Sequence, residues 1–225
     1  MRLRWTVPAA DDLEGIKNYL DSNYPHLSEP TVPAICAKTA FCLREYDEAM
    51  GARTLLTFED FEKYQDDGKK HELLKGEHIT LPPPKFDHSR IQHNLLDALR
   101  PYVRQHQLGD AMMETGFRLS ADTWLQPDVS FVRSAQIKKV APYGYLEGSP
   151  ALAIEVASES NTAAQLDLKL ELYFAHGAEE VWIVYPQTRH VRVHFPDGRS
   201  ETLAGDLRSS LFPGWSALLD TVFAA

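Results

Sequence analysis

The sequence is poor in cysteine and has no excess of positive charge. Its 225 residues include only two cysteines, Cys36 and Cys42, too few for the disulfide framework of a small secreted domain. We therefore expect a reducing, cytoplasmic environment. Lysine and arginine number 23 against 32 aspartates and glutamates, a formal net charge of −9 with histidine neutral. Such a chain has no general attraction for nucleic acid or an anionic membrane, so any nucleic-acid role must depend on a local site.

Long apolar runs are missing as well. No stretch reaches the roughly 18 to 20 consecutive apolar residues of a membrane-spanning helix, and the start, MRLRWTVPAADDLEG, lacks a signal-peptide core of about 7 to 15 apolar residues. We therefore expect neither membrane insertion nor export. The composition, 44% hydrophobic and 24% charged, is typical of a globular protein with one generous domain or two small ones.

Residues 1–49 have a pattern of their own. RLRWTV is typical of a strand, an amphipathic helix is predicted over residues 8–20, and a second helix follows a proline-containing connection and ends at Gly51. A strand and a helical hairpin have no sheet to pack against and are too small to fold alone comfortably.

This opening resembles the start of the RelE/ParE-type toxin family over residues 4–16, and more loosely to about Ile35. The sheet that carries that family's functional basic residues does not follow, because a different pattern begins near Met50. We interpret residues 1–49 as a truncated toxin-like segment, produced by a gene fusion or by a start codon placed upstream of Met50. No toxin-type partner is expected for it.

Residues 50–225 have the pattern of a mixed α/β domain. A capped short helix is predicted after Thr57, two short strands turning at Gly76, and long helices over residues 87–106 and 162–175. Further strands are predicted in METGFRLS, QPDVSFV, PALAIEVAS, EEVWIVYP, HVRVHFP and SETLAG. We expect a mixed central sheet flanked by helices.

Two acidic residues lie within strongly apolar strands. Strand alternation puts Val129 and Phe131 on one face of QPDVSFV and Ile154 on one face of PALAIEVAS, so that Asp128 and Glu155 point the other way. An ionised carboxylate in such surroundings is costly unless a cation, a metal or several donors meet it. Two such acids on adjacent strands would form a divalent-cation site. The alternative is that each acid lies at a strand end in solvent.

A lysine lies in the apolar stripe of the helix that follows. Leu166, Leu170 and Tyr173 define that stripe, and Lys169 falls within it. Its ammonium group either reaches out to solvent along the apolar surface or meets an acid inside the protein. Glu155, on the strand that leads into this helix, is the natural partner, and the preceding pair of acids favours the inward lysine.

A PD pair, a second acid on a later apolar strand and a nearby lysine resemble the PD-(D/E)XK nuclease superfamily. More closely, residues 54–223 resemble the Uma-two family of restriction-endonuclease-like proteins. The matching blocks, about three quarters of the chain, are HELLKGE (family-like YELIDGE), QPDVSFV, PALAIEVASES and KLELYFAHGAEEVWIVYP (family-like KxxxYxxxGVxEYWxVDP). A bare PD…E…K pattern is common by chance, whereas four ordered blocks are much more specific.

The resemblance implies a restriction-endonuclease-like core and a Mg²⁺-dependent endonuclease, with Mn²⁺ as a possible substitute, that hydrolyses DNA. It implies Asp128 and Glu155 as metal ligands, Glu72 as an early acid beside the metal, and Lys169 as the lysine that orients the attacking water and offsets charge on the phosphate. One departure is clear: the lysine that usually lies two residues after the second acid is replaced here by Ala157. Because isologous dimers are common among soluble proteins, a homodimer is also considered.

Several of these residues also have a simpler, non-functional interpretation. Glu72 could be a solvated hairpin charge beside Lys69 and Lys70, and His88 could be a surface or capping histidine instead of a phosphate contact. Core packing is the preferred interpretation of the aromatic residues Trp124, Trp182, Tyr173 and Phe174. At the level of function, the alternative is a catalytically silent binding or regulatory protein that keeps the nuclease fold.

Overall fold

A computed structural model describes residues 55–64, 67–142, 144–158 and 162–224. The chain divides into two compact units, Met1–Thr54 and Leu55–Ala225, and all of the described residues belong to the second. The toxin-like interpretation of residues 1–49 lies outside the described residues and stays a prediction. Among the described helices, none has the length and apolar character needed to span a bilayer.

The second unit contains five helices and thirteen strands within its described residues. The helices are α1 (Phe58–Phe61), α2 (Phe86–Gln105), α3 (Ser134–Ile137), α4 (Ala163–Ala175) and α5 (Leu219–Val222). The first seven strands are β1 (Lys70–Leu74), β2 (Glu77–Leu81), β3 (Gly109–Met113), β4 (Phe117–Ser120), β5 (Thr123–Leu125), β6 (Val129–Arg133) and β7 (Leu146–Glu147). The others are β8 (Leu152–Val156), β9 (Glu180–Tyr185), β10 (His190–His194), β11 (Ser200–Leu203), β12 (Asp206–Leu207) and β13 (Ala217–Leu218).

A mixed six-stranded sheet forms the centre, in the order β11-β10-β9-β8-β6-β3. Within this sheet, β8 and β9 are the one pair of neighbouring strands that run parallel, and α4 connects them. All five residues of β8 are buried, because helix α2 covers one face of the sheet and α4 the other. Strands buried on both faces read as continuous apolar runs, which is the pattern of PALAIEVAS. The predicted mixed sheet flanked by helices is confirmed.

The two faces of the central sheet bury different clusters. Ile91, Leu95 and Leu99 of α2 pack against the face that carries Val129 and Ile154. On the opposite face lie Ala153 and Ile183, with Leu172 and Tyr173 of α4. The strand alternation derived for β6 and β8 is therefore confirmed, and Glu155 belongs to the α4 face.

A second sheet of five strands, β2-β1-β5-β4-β7, packs on the α4 side. The predicted hairpin of β1 and β2 turns at Lys75 and Gly76, both with positive φ (49° and 82°). This is the backbone that two-residue hairpin turns require. The hairpin brings β1, and Glu72 with it, over the same face of the central sheet as Glu155.

The prediction of METGFRLS as one strand is wrong. Met113 ends β3 in the central sheet, and Phe117 begins β4 in the second sheet. Between them Glu114 has a φ of 46°, and Gly116 lies so close to the Trp124 ring that an added Cβ would come within 1.8 Å of it. The chain thus leaves the first sheet at Glu114, whose backbone is in the left-handed region, and enters the second sheet after Gly116, which packs against Trp124.

Candidate active site

The four predicted site residues come from four separate elements. Asp128 immediately precedes β6, Glu155 lies in β8, Glu72 in β1 and Lys169 in α4. Since Val129 pairs with Ile154 across the antiparallel β6 and β8, the next position outward on each strand brings Asp128 beside Glu155. All four residues are buried, with exposed fractions of 1% for Glu72, 4% for Asp128 and Glu155, and 6% for Lys169.

Lys169 bridges two carboxylates. Its Nζ lies 2.9 Å from Glu72 Oε2 and 3.2 Å from both carboxylate oxygens of Glu155. The side chain therefore points into the protein. Burial works against the charged lysine, but the Glu155 and Glu72 carboxylates outweigh it and raise the pKa of the ammonium group.

Glu155 is held by a phenol as well as by the lysine. The hydroxyl of Tyr173 donates to Glu155 Oε1 at 2.6 Å, so this aromatic residue both packs in the core and contacts the site. Burial raises the pKa of Glu155, Lys169 acts to lower it, and Asp128 and Glu72 raise it further. The repulsion among three neighbouring acids is a charge imbalance that a bound cation would relieve.

Both carboxylate oxygens of Asp128 have partners. Oδ1 accepts from Lys70 Nζ at 3.1 Å and from Gln92 Nε2 at 3.0 Å, while Oδ2 accepts from the Val156 N–H at 2.7 Å. His88 Nε2 is 3.1 Å from Oδ2 but is not aligned for a hydrogen bond, and it has no hydrogen-bond partner among the described residues. Burial opposes ionisation of Asp128, yet the His88 ring, the Lys70 ammonium and the Val156 N–H lower the pKa of the carboxyl.

Glu72 is buried and is not a solvated hairpin charge. Its Oε1 accepts from the Gln126 N–H at 3.1 Å as well as from Lys169 Nζ at 3.0 Å. Of the two lysines beside it in the sequence, Lys69 is the solvent-exposed one: its side chain is 54% exposed and pairs with Asp67. Strand alternation places Lys70 on the same side of β1 as Glu72.

A cavity of about 640 Å³ opens onto the site. Its wall includes both acidic and basic groups, together with prolines from the β2–α2 connection; the charged or ionisable side chains are Lys70, Lys85, Asp87, His88, Glu114, Asp128, Glu155 and Lys169. Glu72 is not part of this wall. Its carboxylate contacts the ammonium group of Lys169, which does line the cavity.

The donor types at the cavity fit a hard divalent cation, although the present side-chain arrangement does not enclose one. Asp128 and Glu155 supply neighbouring carboxylate oxygens, which Mg²⁺ and Mn²⁺ prefer. Across the described residues, however, no three histidine, cysteine, aspartate or glutamate side chains are close enough to hold a metal ion together. The lysine ammonium groups take the positions beside these acids instead.

Three contributors were missed by sequence reasoning. Lys70 was considered only as a neighbour of Glu72, although its spacing of two residues from Glu72 in a strand places both on one side. Gln92 is 1% exposed and also donates to Glu114 Oε1 at 3.2 Å; its spacing of four residues from His88 on α2 would have suggested a shared helix face. Nothing in the sequence singled out Glu114.

The mixed sheet, the flanking helices and the buried acid–lysine cluster define a protein with a nuclease-like fold. A family described as "Putative restriction endonuclease", Uma2, matches residues 58–221. The chain belongs to this family.

The fold is shared with solved structures, among them that of a putative nuclease belonging to DUF820 from Anabaena variabilis ATCC 29413. It aligns with a TM-score of 0.67 at 20% sequence identity, over 75% of this chain and 97% of that one. No curated protein matches the chain.

Proposed function

We propose that this protein is a metal-dependent endonuclease that hydrolyses DNA phosphodiester bonds in the cavity beside Asp128 and Glu155. The observation that carries the proposal is the convergence of these two acids with Lys169 at one cavity, in a chain of the Uma2 family. Hydrolysis adds water at phosphorus and breaks one P–O ester bond, and the site must stabilise the charge that develops on the phosphate oxygens.

Asp128 and Glu155 are the residues proposed to hold the cation, Mg²⁺ or Mn²⁺, because both line the cavity and carry oxygen ligands. When bound, such a cation would polarise the phosphate and lower the pKa of an attacking water. The metal-binding role predicted for Glu72 stays a prediction. Its contact with Lys169 and its absence from the cavity wall support a different part, that of holding the lysine.

Lys169 is proposed to act at the cavity wall as the fixed positive charge of the site. Its ammonium favours the ionised form of Glu155, which burial and the neighbouring acids oppose. Its position beside Glu155 is suited to orienting a water toward an incoming phosphate. Tyr173, which donates to the same carboxylate, fixes the rotamer of Glu155.

A catalytically silent binding protein is the second candidate. It is favoured by one observation: Asp128 and Glu155, the two acids proposed to hold the cation, are already paired with Lys70 and Lys169. This candidate predicts that the protein binds its partner without cleaving DNA.

Plasmid nicking distinguishes the two candidates. Purified protein is incubated with supercoiled plasmid in Mg²⁺, Mn²⁺ or EDTA, beside the variants Asp128→Asn and Lys169→Met and the control Asp220→Asn, whose side chain is 92% exposed. We expect nicking that requires the divalent ion, is unchanged in the control and falls by at least about 100-fold in Asp128→Asn. Equal rates in wild type and Asp128→Asn would refute the assignment of this site, and no nicking under any condition would favour the silent protein.

A further inference from the structure

The two lysines of the site have different surroundings. Lys169 contacts two carboxylates, and its side chain is 8% exposed. Lys70 contacts one carboxylate oxygen, Asp128 Oδ1 at 3.1 Å, and its side chain is 16% exposed at the cavity wall. Among the described residues Asp128 is the only acid within ion-pair distance of Lys70. Both ammonium groups have three donors, but Lys70 has only one carboxylate partner and is more exposed. Lys70 can therefore exchange its partner more easily than Lys169 can.

For a cation to bind Asp128 Oδ1, one of the two present donors to that oxygen, Lys70 or Gln92, must leave. The Val156 N–H belongs to the backbone of β8 and is fixed in the central sheet. Gln92 is almost fully buried and also binds Glu114. The ammonium group of Lys70, by contrast, lies at the end of a flexible four-carbon side chain that lines the cavity. It is therefore the partner that a cation would displace from Oδ1.

A displaced Lys70 would have a clear second partner. Beside a divalent ion the ammonium is repelled, and a partly buried ammonium without a counter-charge is costly. A phosphate group that enters the cavity provides that counter-charge, and lysine binds phosphate as a point charge from any direction. The same displacement would then prepare the cavity for an anionic substrate.

We propose that Lys70 is a tethered counter-ion that occupies Asp128 in the cation-free protein and passes to the substrate phosphate when a divalent cation takes its place. This inference depends on the proposed nuclease function, since it assumes a cation at Asp128. It makes cation and substrate binding mutually reinforcing, a coupling that must be reciprocal. It also assigns Lys70 a direct contact with substrate that the sequence pattern did not indicate.

The test measures Mn²⁺ binding by calorimetry without substrate. Lys70→Met keeps the length of the side chain but removes the competing charge, so we expect it to bind Mn²⁺ about 10-fold more tightly than wild type. Lys70→Arg should keep a wild-type or weaker affinity. Lys69→Met, a change at the neighbouring exposed lysine, should leave the affinity unchanged. Equal or weaker Mn²⁺ binding by Lys70→Met than by wild type would overturn the proposal.

Two further readouts separate counter-ion exchange from simple structural support. In EDTA, Lys70→Met should lower the melting temperature in the wild-type background but not in Asp128→Asn, where no charge needs balancing. With Mn²⁺ present, Lys70→Met should raise KM for an oligonucleotide more than it lowers kcat. An equal loss of melting temperature in both backgrounds, or an unchanged KM, would contradict the exchange.

Failure of this inference is distinguishable from failure of the proposed function. If wild type binds Mn²⁺ and cleaves DNA while Lys70→Met has the same Mn²⁺ affinity, only the exchange at Lys70 is wrong. If wild type neither binds Mn²⁺ nor cleaves DNA, the metal-dependent function is wrong and the exchange fails with it.

Discussion

At the scale of single residues, the site is a balance of buried charges. Glu72, Asp128 and Glu155 face the ammonium groups of Lys70 and Lys169, so that three carboxylates meet two lysines. Taking such groups out of water costs several kcal/mol per ion, and only close pairing makes their burial possible. The partial excess of negative charge is what an added cation would neutralise.

Removing Lys169 should destabilise the fold strongly. Lys169→Met would leave Glu72 and Glu155 buried without their shared cation, and breaking such a pair typically costs about 3 to 5 kcal/mol. Urea unfolding followed by circular dichroism measures the loss. The matched control is Lys63→Met, because Lys63 forms an exposed pair with Asp60 and is 73% exposed, and exposed pairs contribute little to stability.

The double variant Lys169→Met/Glu72→Gln refines this prediction. Replacing Glu72 with a neutral isostere removes one of the two charges that Lys169 balances, so the double variant should recover part of the lost stability. An effect of Lys169→Met no larger than that of Lys63→Met would mean that the buried bridge contributes little to the fold.

At the scale of secondary-structure elements, the sequence predicts well where the pattern is local. The stripe of α2 gave Ile91, Leu95 and Leu99 as buried residues, and all three are buried. The predicted start of α4 is marked by a capping box in which Thr162 accepts from the Gln165 N–H. The error at METGFRLS arose because its two halves join different sheets, and that separation depends on a partner eight residues away from Gly116, Trp124.

Gly116 should tolerate no side chain. An added Cβ would lie 1.8 Å from the Trp124 ring, and the ring cannot move freely because it is 8% exposed and stacked on Phe58. Gly116→Ala should therefore lower the free energy of unfolding by about 1 to 3 kcal/mol or more. Denaturant unfolding provides the measurement.

Gly205→Ala is the control for this substitution. A Cβ at Gly205 meets no atom within 4 Å, so the change should be neutral or slightly stabilising. If Gly116→Ala were as stable as Gly205→Ala, the result would contradict the close packing of Trp124 on the β3–β4 turn.

At the scale of the whole molecule, the sequence predicted the acids and one lysine of the site but not the other residues that contact them. Asp128, Glu155 and Lys169 fall within about 40 residues of one another, and strand alternation and helix spacing could be applied to each. Lys70, His88 and Gln92 reach the site from a hairpin and a helix earlier in the chain. Their contacts with Asp128 depend on how the second sheet and α2 pack on the central sheet, which no local pattern specifies.

The net charge of −9 predicts how this protein should bind nucleic acid. Even at the cavity, the three lysines and one histidine of the wall are accompanied by four acids. Few phosphates can therefore be neutralised at once. Since log K falls with log salt concentration by about 0.7 to 0.9 per neutralised phosphate, we expect a slope no steeper than about −3.

Fluorescence anisotropy of a labelled oligonucleotide, titrated in EDTA at several salt concentrations, measures this slope. Lys85→Met, at the cavity wall, should reduce its magnitude by about 1, whereas Lys69→Met should leave it unchanged. A slope of about −6 or steeper would instead require an extended basic surface, because each unit of slope corresponds to roughly one neutralised phosphate. That result would contradict the local mode of binding that the acidic composition predicts.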